Sequence, residues 1–179
     1  MSTRVTEGQK QWDAFLERWP VSRLRDLTLE EYYGPQGSDT LFGWLRDRTG
    51  LLGDFQEGPA SAGVRPRGRG SRGEPASGLK ADDRYIWYSI LGNSAEQAFA
   101  NLKQEMLIAV EAVQRGDLDG LKQLSNAPGA LVWKVAFLYQ DRSRPLLLPF
   151  NTLVQLKRVA TGAASNAKID LQRQLMAQR

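Results

Sequence analysis

The chain has 179 residues, 41% of them hydrophobic and five of them tryptophan, which is enough to build one globular domain around a core. It contains no cysteine and no histidine, which excludes disulfides, thiolate or imidazole metal ligands, and Ser-His-Asp or Cys-His catalysis. Its 24 Lys and Arg outnumber its 20 Asp and Glu, so the chain is basic.

Three short helical segments are predicted before position 51. Residues 8–19 place four apolar side chains at i, i+3, i+4 and i+7, the spacing of one helix face, and Pro20 follows. Thr28 and Glu31 have the spacing of a capping box, which predicts a helix start there. Residues 38–50 predict another short helix, capped by one of their first two residues.

A stretch rich in Gly, Pro, Ser and Arg, residues 54–82, has no apolar periodicity and predicts an exposed loop with little fixed structure. Within it, residues 63–73 hold four arginines and no acid, so the whole net charge of +4 lies in this one segment. These candidate DNA contacts are Arg65, Arg67, Arg69 and Arg72. Arginine pairs bidentately with phosphate or guanine, which favours an arm that binds nucleic acid, and the alternative is a plain spacer.

Regular structure is predicted again from residue 84 onwards. Residues 84–90 are rich in β-formers and predict a strand with bulky side chains on both faces. A helix is predicted over 94–115, with Ser94 and Gln97 at capping-box spacing. Residues 130–140 are apolar on both faces and predict a long central strand.

The end of the chain predicts one more strand and two helices. The strand is "LLLPF", residues 146–150. Asn151 is predicted to cap a helix that runs to about Val159, and residues 167–178 predict a final polar helix.

Together these elements predict an α+β fold, with a small central β-sheet of three to four strands, packed helices, and N-terminal helices that precede the sheet. Residues 1–160 are predicted to form one recognition domain with a flexible loop at about 55–82. Residues 161–179 are predicted to be a linker and a C-terminal helix.

Aromatic residues on the predicted strands suggest a base-binding pocket, provided that those strands are neighbours. Flat rings can stack on a flipped base, and the alternative is that they pack in the core. The candidate pocket residues are Tyr85, Trp87, Tyr88, Trp133 and Tyr139, with Trp87 as the preferred base contact. Lys134 interrupts the apolar pattern of residues 130–140 and is a further candidate for phosphate contact, the alternative being a side chain at the sheet edge.

Three stretches together resemble the N-terminal region of McrB-like AAA+ proteins, the motor subunits of modification-dependent restriction systems. They are "RWPVSRLRDLTLEEYYGPQGSDTLFGWL", "YIWYSILGNSAEQAFANLK" and "WKVAFLYQ", and the resemblance covers roughly residues 12–158. It implies a DNA-recognition domain, often for a methylated or otherwise modified base, that works with an AAA+ motor module and a nuclease subunit. The sequence itself has no GxxxxGK[ST] motif, so the motor is expected to be missing here or separate.

The sequence therefore predicts a cytoplasmic, non-catalytic DNA-binding module without cofactor, metal site or membrane span. A protein-interaction or assembly module that binds no nucleic acid is the alternative. A magnesium-dependent nuclease is the third hypothesis, disfavoured because the position two residues before Lys134 holds Val132 rather than an acid.

Overall fold

The computed structural model describes residues 3–34, 39–53, 62–68, 73–124, 129–150, 153–160 and 167–178. Within these residues the chain is α+β and combines helices with a three-stranded antiparallel sheet, as the sequence predicts. None of the described helices is long and apolar enough to cross a bilayer.

The described residues of the first third of the chain are mostly helical, with one long helix followed by short ones. They are α1 (Thr3–Arg18), α2 (Val21–Arg25), α3 (Leu29–Tyr32) and α4 (Leu41–Gly43), the last continuing as a π-helical turn (Trp44–Arg48) and then a 3-10 turn (Gly50–Leu52). The capping box of Thr28 and Glu31 is present, as predicted. The cap of α4 is Thr40, whose hydroxyl accepts from the backbone N–H of Gly43, rather than Asp39. The other predicted cap, Ser38, lies outside the described residues.

The sheet and the remaining helices follow. In chain order they are β1 (Val64–Pro66), β2 (Leu79–Ala81), β3 (Tyr85–Tyr88), a 3-10 turn (Ser89–Leu91), α5 (Ala95–Arg115), a second 3-10 turn (Asp119–Gln123), α6 (Gly129–Tyr139), α7 (Leu153–Val159) and α8 (Lys168–Ala177).

Helix α5 is held by its ends and by one apolar face. Ser94 accepts from the backbone N–H of Gln97, as predicted, while the Gln97 side chain accepts from Asn93, one residue before the expected partner. Gly116 ends the helix in the left-handed conformation, with φ 76°, which glycine adopts at little cost. The buried face of α5 packs against α6 and against the sheet.

The prediction of a strand over 130–140 is wrong, because these residues form helix α6. The whole helix from Leu131 to Tyr139 is buried, since α5 and α1 both pack against it. An element covered on all sides has no polar face, so periodicity cannot distinguish helix from strand. Its eleven residues are long for a strand and typical of a helix, and this length was the available signal.

The predicted strand at 146–150 is also absent, and side chains rather than a neighbouring strand form hydrogen bonds with its backbone. The buried Gln140 accepts hydrogen bonds from the backbone N–H groups of Leu146 and Leu147 and donates to the Leu147 carbonyl. The buried Gln172 of α8 accepts from Leu148 N–H and donates to its carbonyl. The apolar run thus stays irregular while its buried backbone groups are satisfied.

Two strands, β1 and β2, lie instead inside the segment predicted to be a loop with little fixed structure. At the other end of the chain, Asn151 and residues 161–166 are outside the described residues. Helix α8 falls within the predicted range and packs on the body of the protein, where Ile169 joins the main core and Arg173 pairs with Asp119.

Candidate nucleic-acid interface

The three-stranded sheet has the order β1-β3-β2, so β3 carries a neighbour on each side. In the β1 register Val64 pairs with Trp87 and Arg65 with Ile86. In the β2 register Leu79 pairs with Tyr88. Because side chains of a strand alternate between faces, the sheet divides into an inner face toward α5 and an outer face.

The inner face holds two of the candidate pocket residues in the core. Trp87 is 4% exposed, and its indole N–H donates to the Gly92 carbonyl at 3.1 Å. Tyr85 is also buried, and its hydroxyl lies 3.4 Å from a carboxylate oxygen of Glu30. Burial and the nearby Glu30 raise the pKa of Tyr85. The structure therefore assigns Trp87, the preferred base contact, to the core.

The outer face is half-buried and carries Tyr88. The backbone N–H of Tyr88 donates to the carbonyl of Gly63, so a residue without a side chain lies across from it on the β1 side. Within the described part of the chain the Tyr88 hydroxyl has no hydrogen bond, and burial raises its pKa. The rest of this outer face consists of Arg65, Leu79, Ala81 and Ile86.

Arg65 supplies a positive charge on the same face as Tyr88. It lies directly across from Ile86, two residues from Tyr88 along β3. Its guanidinium Nε is buried and has no hydrogen-bond partner among the described residues. A buried N–H without a partner is uncommon in folded proteins.

Arg67 has a structural role at the base of the arginine-rich segment. Its guanidinium donates to the carbonyls of Asp82 at 2.9 Å and Gly73 at 2.7 Å. Its backbone N–H also donates to the carbonyl of Arg84. Arg67 therefore ties both ends of the segment to the sheet, while Arg69 and Arg72 lie outside the described residues.

The remaining predicted site residues are on α6 and are not brought to the sheet. Lys134 is 0% exposed, and its ammonium donates to the carbonyls of Thr49 and Gly53. Trp133 is buried beneath the ammonium of Lys168, 4.8 Å from its ring centre, and the Tyr139 hydroxyl donates to the Trp19 carbonyl. Lys134 is thus a core residue rather than a phosphate contact.

The structure therefore brings together Tyr88 and Arg65 but not the five aromatic rings, because the neighbours of β3 are β1 and β2 rather than residues 130–140. The sequence did not predict the residues that complete this face, which are Gly63, Leu79, Ala81 and Ile86. The alternation of side chains along residues 85–88 was the signal that could have assigned Ile86 to the same face as Tyr88. The sequences of the two edge strands, β1 and β2, contain no comparable signal.

The surroundings of this face carry both signs of charge. Lys80 donates to the Asn93 side chain, and Arg84 pairs with Glu30 at 3.4 Å. No group of three His, Cys, Asp or Glu side chains suited to a metal occurs within the described ranges. Comparison with protein-family models, with curated proteins and with solved structures finds no match to this chain.

Proposed function

We propose that this chain is a DNA-binding recognition module that contacts nucleic acid with the outer face of its sheet. The observation that carries the proposal is the presence of Tyr88 and Arg65 on that one face. A tyrosine ring offers a stacking surface to a base, worth roughly 1–3 kcal/mol, and a guanidinium binds a backbone phosphate.

The arginine-rich segment, residues 63–73, adds further positive charge to the chain. Arg69 and Arg72 follow β1 in the sequence, with no acid between residues 63 and 73. Phosphate contacts of this kind supply sequence-independent affinity, whereas selectivity requires a rigid surface such as the sheet. We therefore assign affinity to the arginines and any preference for a modified base to Tyr88.

The resemblance to McrB-like proteins gives this module its proposed setting. There it would act in the cytoplasm as the non-catalytic recognition part of a restriction system, without cofactor, beside an AAA+ motor module and a nuclease subunit. The alternative is an interaction or assembly module that binds no nucleic acid.

The test is the binding of a fluorescently labelled duplex, measured by anisotropy over a salt series from about 50 to about 200 mM. Neutralised phosphates release counterions, so affinity should fall steeply and linearly on logarithmic axes. Arg65→Ser should weaken binding, while Lys157→Ser, which removes the same charge from the exposed side of α7, should not. Absence of binding at the lowest salt would reject the proposal in favour of the assembly module.

A further inference from the structure

A groove of about 990 Å³ lies between α1, the 3-10 turn at Gly50–Leu52, the end of α6, residues 145–150 and α7. Apolar side chains make most of its wall, among them Trp12, Leu51, Phe137 and Phe150. None of the residues of the outer sheet face lines it. The groove is therefore a second surface, independent of the proposed DNA interface.

Buried polar side chains hold the walls of the groove in place. Gln140 and Gln172 bind the backbone of residues 146–150 on one side. Lys134 binds the carbonyls of Thr49 and Gly53 on the other. A concave surface fixed by internal hydrogen bonds is pre-organised, and a ligand that binds to it has little ordering cost to offset.

Exposed apolar side chains are concentrated around this groove. Four large hydrophobic side chains are exposed in the described part of the chain, and three of them belong to the 3-10 turn or to α7. These are Leu51 (42%), Val154 (61%) and Val159 (45%), and Ile90 (64%) is the fourth. Clustered exposed apolar surface beside a cleft is typical of a site that meets another protein.

The charge of the groove indicates what kind of segment fits it. Among the described residues that line it, Arg142 and Arg158 are cationic and none is acidic. Arg142 is bound by Asp13 at 2.6 Å, but Arg158 is exposed and has no ion pair in the described ranges. A second copy of the chain would bring like charges together, whereas an acidic segment would neutralise Arg158.

We propose that this groove binds a partner protein through a peptide segment that combines large apolar side chains with flanking Asp or Glu. The apolar side chains enter between Trp12, Leu51 and Phe150, and an acidic residue pairs with Arg158. Small-molecule sites reach about 1,000 Å³, and here the exposed Val154 adds apolar surface on α7 outside the groove, next in sequence to the lining residue Gln155, which favours an extended ligand.

The experiment selects ligands from a displayed library of random peptides on the immobilised full chain, with counter-selection on the double variant Leu51→Glu, Val159→Glu. Enriched peptides should carry Asp or Glu beside large apolar residues. The strongest is then synthesised, labelled and titrated by fluorescence anisotropy. Its affinity should fall at least tenfold for each single glutamate variant.

Ile90→Glu is the matched control, because it places the same charge on an equally exposed apolar position outside the groove. This variant should bind the peptide like the parent. Arg158→Glu should weaken the acidic peptide and improve binding of its Lys-substituted counterpart, a reversal that misfolding cannot produce. No enrichment, enrichment of basic peptides, or equal binding by parent and groove variants would overturn the proposal.

Discussion

The ammonium group of Lys134 donates a hydrogen bond to the carbonyl of Thr49 at 2.9 Å, and a second one to Gly53, from a position inside the core. The Thr49 carbonyl also accepts from the backbone N–H of Leu52 in the 3-10 turn Gly50–Leu52, and Gly53 follows the end of that turn, so Lys134 of α6 adds a hydrogen-bond donor at both ends of the turn. One buried charge thereby joins α6 to the segment that forms a wall of the groove.

Lys134→Met should destabilise the fold by about 2–4 kcal/mol, because it keeps the apolar stem but leaves two carbonyls without this donor. The free energy of unfolding from urea denaturation measures the loss. Lys157→Met is the control, since Lys157 is exposed on α7 and its change should stay within about 0.5 kcal/mol. Equal stability of the two variants would contradict a capping role for Lys134.

Local signals explain what could be predicted from the sequence. The capping box at Thr28 and the cap at Ser94 are predictable because each cap involves residues only three positions apart. The apolar stripe of α5 was found because one face of that helix is buried while the other meets solvent. Residues that are close together in the sequence determine these features.

The rest of the fold depends on distant contacts. The strand prediction for the residues of helix α6 is wrong because burial on all sides removes the periodicity of the helix. Strands β1 and β2 have three residues each, and only their pairing with β3 makes them strands. The groove joins five separate segments, so no local pattern in the sequence could indicate it.

Trp87→Ala and Tyr88→Ala should have opposite effects, because the two neighbouring rings lie on opposite faces of β3. Loss of the buried Trp87 ring should cost about 3–5 kcal/mol and can unfold a domain of ordinary stability. Tyr88→Ala should keep a cooperative thermal transition and lose any preference for methylated over plain duplex. Thermal melts and paired anisotropy titrations measure both. Tyr88 plays no part in recognition if its alanine variant discriminates between the two duplexes as well as the parent does.

The four arginines of residues 63–73 should differ in role, with Arg67 stabilising the fold and the other three contributing to DNA affinity. Replacing Arg65, Arg69 and Arg72 together with serine should lower the slope of log affinity against log salt by up to about three, roughly one for each lost phosphate contact. Stability should change little. Arg67→Ser should instead lower the melting temperature, because it removes the bonds to Gly73 and Asp82. An unchanged salt slope in the triple variant would leave the segment as a spacer.

Lys168 should give the fold an unusual dependence on pH. Burial lowers the pKa of its ammonium group from 10.5 to about 8, above the ring of Trp133. Between pH 8 and 10.5 the unfolded chain therefore keeps a proton that the folded chain has released. Stability must rise with pH wherever the unfolded state binds more protons, here by at most about 1.4 kcal/mol per pH unit.

The measurement is the urea midpoint of the parent and of Lys168→Met from pH 7 to about 9.5. Below pH 8 both states of the parent are protonated and the cost of burying the charge is fully present, so the methionine variant should be the more stable one there. The difference in stability between the parent and Lys168→Met should shrink as pH rises. The raised pKa values of Tyr32 and Tyr139 act in the opposite direction, above pH 10, and affect both proteins equally. Parallel pH profiles for parent and variant would show that Lys168 does not titrate in this range.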